Sequence, residues 1–78
     1  MSIEARVRNV VADVLGLPVA EITLGTSHET VRGWDSVNII NMMMALEGEF
    51  AVQLEVDDAA RLISVVSILE VLGERGIS

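Results

Sequence analysis

Ile3, Val7, Val10 and Val14 recur at i, i+4, i+7 and i+11, with Val11 beside them, while Glu4, Arg6, Arg8, Asn9 and Asp13 take the other side. Only a helix, at about 3.6 residues per turn, gathers these aliphatic side chains onto one face. Ser2 is a preferred helix starter, and Glu4 sits in the first turn, where the helix dipole favours a negative charge. Gly16-Leu17-Pro18 then places a residue free to turn left-handed next to one that cannot continue a helix. The spacing predicts a helix over residues 3–15.

The same periodicity returns further on. From Ser36, Ile39, Met43, Leu46 and Phe50 form one stripe, and Val37, Ile40 and Met44 a second beside it. This arc is wider than one buried face requires, so part of it reaches solvent or a partner. Met43 is predicted in the core and Met44 at the contact edge. Asp57 and Asp58 start a short third helix running to about Leu62. Ser64 caps a fourth, with Val65, Ile68, Leu69 and Leu72 at i, i+3, i+4 and i+7 before Gly73. No stripe persists from Gly16 to Asp35, where Ile22, Leu24 and Val31 are the available pegs. A loop this long in a compact chain is more often functional than idle. The pattern is all-α: a small four-helix bundle with a short third helix and a long loop between helices one and two, residues 1–78 forming a single domain.

With 78 residues there is room for one domain at most. Trp34 and Phe50 are the only aromatic residues, so the core is aliphatic, and Trp34 is either a plug over the loop or an exposed anchor. The absence of cysteine excludes a disulfide scaffold, a thiolate metal site and a thiol nucleophile. The single histidine, His28, excludes a His-based zinc cluster and reads as a solvated loop residue. Ser36 lacks the Gly-x-Ser-x-Gly elbow of a serine hydrolase. Glu55, Asp57 and Asp58 lack the alternating spacing and turn glycine of a calcium loop, so no metal site is predicted.

The net charge is −7 and every base is an arginine, a balance that repels nucleic acid and anionic membranes. The longest apolar run, Met42 to Leu46, is far short of the ~20 residues that span a bilayer. No apolar signal-type stretch opens the chain, and a cytoplasmic monomer is expected. Between Arg32 and Arg61 there is no base, whereas Asp35, Glu47, Glu49, Glu55, Asp57 and Asp58 all fall in that span. So one-sided a stretch reads as a docking surface for a basic partner. By itself, Asp35-Ser36 before an amphipathic helix is a capping signal. One reading is therefore a small acidic helical interaction domain in which Ser36 is only a helix cap.

A more specific combination sits on the same residues. Trp34-Asp35-Ser36-Val37, followed by Met44-Ala45-Leu46-Glu47-Gly48-Glu49-Phe50, resembles the Asp-Ser-Leu motif and the Ala-Leu-Glu-x-x-Phe helix of acyl carrier proteins. Length, helix order, the long first loop and the lack of cysteine agree with it. The resemblance implies that Ser36 carries a 4′-phosphopantetheine arm, transferred from coenzyme A by a phosphopantetheinyl transferase that Asp35 helps to engage. Acyl groups then ride on the arm as thioesters, and the chain is a carrier rather than an enzyme. Its partners are acyl-loading and acyl-processing enzymes of fatty acid, lipid or polyketide-type biosynthesis. Glu47, Glu49, Asp57 and Asp58 are expected to steer their basic patches, with Val37 and Met44 as apolar contacts. Asn38 and Asn41 stand where carriers of fatty acid synthesis usually have acids, and Val37 replaces the common leucine; a specialised carrier is expected.

Overall fold

A computed structural model describes residues 1–77. It contains α1 (Ile3–Leu15), α2 (Ser36–Phe50), α3 (Val56–Ala59) and α4 (Val65–Glu74), with one 3₁₀ turn at Val19–Glu21. The all-α reading, the four helices and the short third one are what the structure contains.

The local signals set α1 at both ends. Ser2 Oγ accepts the Ala5 N–H at 3.1 Å. Gly16 takes the left-handed conformation at φ 69°, so that the Leu17 N–H returns to the Ala12 carbonyl at 3.0 Å. Val7, Val10, Val11 and Ala12 are buried where α1 packs on α2 and α4. They join Ile22, Met42, Leu46, Leu62, Val65, Ile68 and Leu72 in an aliphatic core.

Along α2 the buried line is Met42, Leu46 and Phe50, and Met43 is only half-buried. Periodicity placed Met43 at the centre. An apolar arc this wide leaves the helix free to turn by a residue, and packing against α1 decides the setting. The helix ends at Ala51, a non-glycine residue at φ 52°.

The third helix departs from expectation. It starts at Val56 and ends at Ala59 instead of running from Asp57 to Leu62. Glu55 is its cap residue, and Asp58 reaches back to accept the Glu55 N–H at 2.9 Å. Ser64 caps α4 as predicted, exchanging bonds with Ser67, and that helix runs through Gly73 to Glu74.

The long loop is bound down by backbone. The His28 N–H donates to the Ile63 carbonyl at 2.9 Å and the Val65 N–H to the Thr26 carbonyl at 3.1 Å. Ser27 and Ser64 form an isolated antiparallel bridge there. Ile22 is buried and Arg8 donates to its carbonyl at 2.6 Å, whereas Leu24 is exposed and pegs nothing. Trp34 is a plug: it is buried, and its Nε1–H donates to the Leu62 carbonyl at 2.9 Å.

Candidate functional site

Two residues after that plug the chain reaches Ser36. The Trp34 N–H returns to the Val31 carbonyl at 3.1 Å and the Asp35 N–H to the Gly33 carbonyl at 3.0 Å. Asp35 is then extended, and its Oδ1 accepts the Asn38 N–H at 2.9 Å. Asp35 is therefore the helix cap and Ser36 the first helical residue. The capping role that the bare sequence assigned to Ser36 belongs to its neighbour. Aspartate and serine both start helices well, and only the backbone angles separate them.

Ser36 is exposed, and its hydroxyl makes no hydrogen bond among the described residues. The N–H groups of Ser36 and Val37 are likewise unbonded there, so the positive end of the α2 dipole opens onto the serine. Such an end accommodates a phosphodiester on Ser36 Oγ without displacing any existing bond. With no cysteine in the chain, any thiol at this site has to come from an attached group.

Around the serine the side chains fall into three groups. Val37, Ile40 and Met44 are 70, 47 and 57% exposed, at i, i+3 and i+7 on one face. Ile40 belongs to this patch; the second apolar stripe contained it, although only Val37 and Met44 were singled out as contacts. Asn38 and Asn41 form a chain of amides: Asn41 Nδ2 donates to Asn38 Oδ1 at 3.2 Å, and Asn38 Nδ2 to the Gly33 carbonyl at 2.7 Å. Nothing in the spacing foretold this brace between helix and loop.

The acids are the third group, and here the expectation needs correcting. Asp58 is buried; its carboxylate bonds the Glu55 N–H and pairs with Arg75, so it is not part of the open surface. The long separation in sequence from Arg75 hid this. Glu47 is half-buried and accepts the Leu54 N–H at 2.9 Å. Glu49 pairs with Arg6 at 2.8 Å, and the Arg6 guanidinium lies 4.4 Å from the centre of the Phe50 ring. Asp57 is exposed. Farther off, Arg61 grips Glu74 through two bonds of 2.6 and 2.7 Å. Those bonds hold the Glu74 carboxyl below the usual glutamate range. His28 is exposed in its loop.

The family described as "Phosphopantetheine attachment site" matches residues 5–72. The chain is also 36% identical over 72 residues to "Acyl carrier protein 2" of Pseudomonas aeruginosa, spanning 92% of this chain and 91% of that relative. The chain belongs to the acyl carrier protein family. An "Acyl carrier protein" of Nitratidesulfovibrio vulgaris is 29% identical over 75 residues, 96% of this chain and 99% of that protein. As an acyl carrier protein it is a carrier and not a catalyst, and 4′-phosphopantetheine is its prosthetic group. That role brings it to a phosphopantetheinyl transferase and to acyl-processing enzymes. Among the described residues no helix is long and apolar enough to cross a membrane.

Proposed function

We propose that Ser36 carries the 4′-phosphopantetheine arm of this acyl carrier protein. The exposed, unbonded hydroxyl at the open end of α2 carries the reading. Ser36 Oγ forms a phosphate ester as the pyrophosphate bond of coenzyme A breaks, its proton passing to the transferase and adenosine bisphosphate leaving. Asp35 serves twice: Oδ1 fixes the first turn, and the second oxygen is left for transferase recognition. When bound, the group supplies a thiol on a flexible tether that carries acyl groups as thioesters. The protein's own part is to hold the serine at a rigid, solvent-facing point and to present a docking face.

On this reading residues 1–78 act as one carrier domain, a cytoplasmic monomer serving fatty acid, lipid or polyketide-type biosynthesis. Glu47, Glu49 and Asp57 steer basic patches of its partners, and Val37 and Met44 supply apolar contact. Asp58 takes no part. Incubation with coenzyme A and a promiscuous phosphopantetheinyl transferase, followed by intact-mass measurement, tests the assignment. One arm should add to the wild type and none to Ser36→Ala, which remains folded. An unchanged wild-type mass would remove the carrier reading, and a mass gain in Ser36→Ala would move the site elsewhere.

A further inference from the structure

Four of the five arginines are bonded inside the chain. Arg6 holds Glu49, Arg8 the Ile22 carbonyl, Arg61 Glu74 and Arg75 Asp58. Arg32 is different. It is exposed, and its guanidinium has no hydrogen bond or ion pair among the described residues, although Glu21, Glu29 and Asp35 are the acids nearest it in sequence. Arg32 lines an open groove of about 490 Å³ in the long loop between α1 and α2. Leu17, Glu21, Thr23, Thr26 and Val31 line it as well.

The groove is preformed. Thr26 Oγ1 accepts the Thr23 N–H at 2.8 Å and Thr30 Oγ1 the Ser27 N–H at 2.9 Å, and the Ser27–Ser64 bridge ties the loop to the start of α4. Binding there orders little of the chain, which keeps its cost low. With those hydroxyl oxygens engaged, the charged groups left for a ligand are the Arg32 cation and the Glu21 carboxylate. Leu17 and Val31 are half-buried and add apolar surface.

The groove also lies close to the attachment point. The Val31 carbonyl accepts the Trp34 N–H at 3.1 Å. Two residues, at most about 3.6 Å each, lead on to Ser36, so that carbonyl is within about 11 Å of the Ser36 backbone nitrogen. A group esterified to Ser36 is therefore held beside the groove at an effective concentration of about the millimolar range, and a weak site suffices to gather it. A phosphodiester there stands next to Asp35, whose second carboxylate oxygen is free. Like charges repel, and Arg32 is the unpaired arginine at hand to receive the phosphate.

We propose that this groove is a resting seat for the phosphopantetheine arm on its own carrier. The phosphate faces Arg32, an amide N–H of the arm donates to Glu21, and the branched methyl groups lie on Leu17 and Val31. One exposed ion pair and a little apolar contact make the seat weak, as delivery requires. A docking partner draws the arm out of it. The proposal rests on the carrier reading above and adds to it a site on this chain for the unclaimed arm.

The test is NMR of the labelled protein before and after loading with coenzyme A and a transferase, loading being verified first by mass. Loading should shift the amides of Thr23, Thr26, Val31 and Arg32 and the Arg32 Nε–H, besides those next to Ser36. The arm's methyl groups should give cross-peaks to the methyls of Leu17 and Val31. Arg32→Gln should load equally well yet lower occupancy of the seat about two- to fivefold, the scale of one surface pair, read as smaller loop shifts. High salt should reduce the wild-type loop shifts and leave those of Arg32→Gln almost unchanged. Arg32→Lys should retain most of the effect. Shifts confined to residues 35–40, with no cross-peak from arm to loop, would overturn the proposal, as would loop shifts that persist in full in Arg32→Gln. Failure to load would instead overturn the carrier reading, and is seen before any spectrum is compared.

Discussion

The two ends of α2 handle their polar groups in opposite ways. At the first turn the Ser36 hydroxyl, two backbone N–H groups and, just upstream, the Arg32 guanidinium are left without partners among the described residues. At the last turn and in the α3 segment beyond it, Glu47, Glu49 and Asp58 are each bonded, two of them to arginines from α1 and from the end of α4. Six acids in one stretch of sequence therefore do not make six acids on a surface. What a partner can feel is the set of charges the fold has not already used. By that measure the attachment end is open, whereas at the far end Asp58 is withdrawn, Glu47 and Glu49 are partly engaged, and Asp57 stays exposed.

The sharpest break between the two conditions falls within two residues. Trp34→Ala removes a buried ring and orphans the Leu62 carbonyl, and should cost about 3–5 kcal/mol in urea unfolding. Ser36→Ala should cost less than about 0.5 kcal/mol, since neither a bond nor a buried surface is lost. If both variants melt alike, the division between anchor and open site is wrong.

Next in size is the closed end. Arg75→Gln leaves the buried Asp58 carboxylate without its cation and should lose about 1–3 kcal/mol, the arginine being partly exposed. Amide exchange at Val56–Arg61 should quicken more than exchange in α1. Equal quickening everywhere would show that the pair holds the bundle as a whole and not α3 in particular.

Met44→Ala should lower stability by less than about 0.5 kcal/mol while slowing acyl transfer to a partner. A loss of 2 kcal/mol or more, at about the scale of a core methionine, would put Met44 on the closed side of the comparison. The smallest effect concerns Glu74. Its folded-state acidity is raised chiefly by the bonds from Arg61, so its contribution to stability is complete above the ordinary glutamate range. That contribution disappears as pH falls through the lowered folded value. An NMR titration should place its midpoint below that of a free glutamate, and Arg61→Gln should return it; an unmoved midpoint would mean the bonds do not persist in solution.

How much of this was readable beforehand follows from how local each signal is. The ends of α1 were legible because Ser2 and Gly16-Leu17-Pro18 act within a turn of where they stand. The exposure of Met44 followed from the breadth of the α2 arc. The choice between Met42 and Met43 did not, because rotation of an almost wholly apolar helix is set by neighbours distant in sequence. The fate of Asp58 was hidden for the same reason: it depends on Arg75, 17 residues away. Ser36 stood out through the residues around it, yet the cap beside it was misassigned because Asp35 and Ser36 carry the same local preference.

The bond from the Trp34 indole to the Leu62 carbonyl has a consequence for reach. It moors the turn before Ser36 to the junction of α3 and α4, so the base of an attached tether scarcely wanders. For a tether free of the loop, the volume searched by its tip is then set by the tether alone. Once a partner has docked, the effective concentration of the cargo at its entrance depends on arm length and on little else. A slack mooring would spread the same cargo through a larger volume and dilute every delivery.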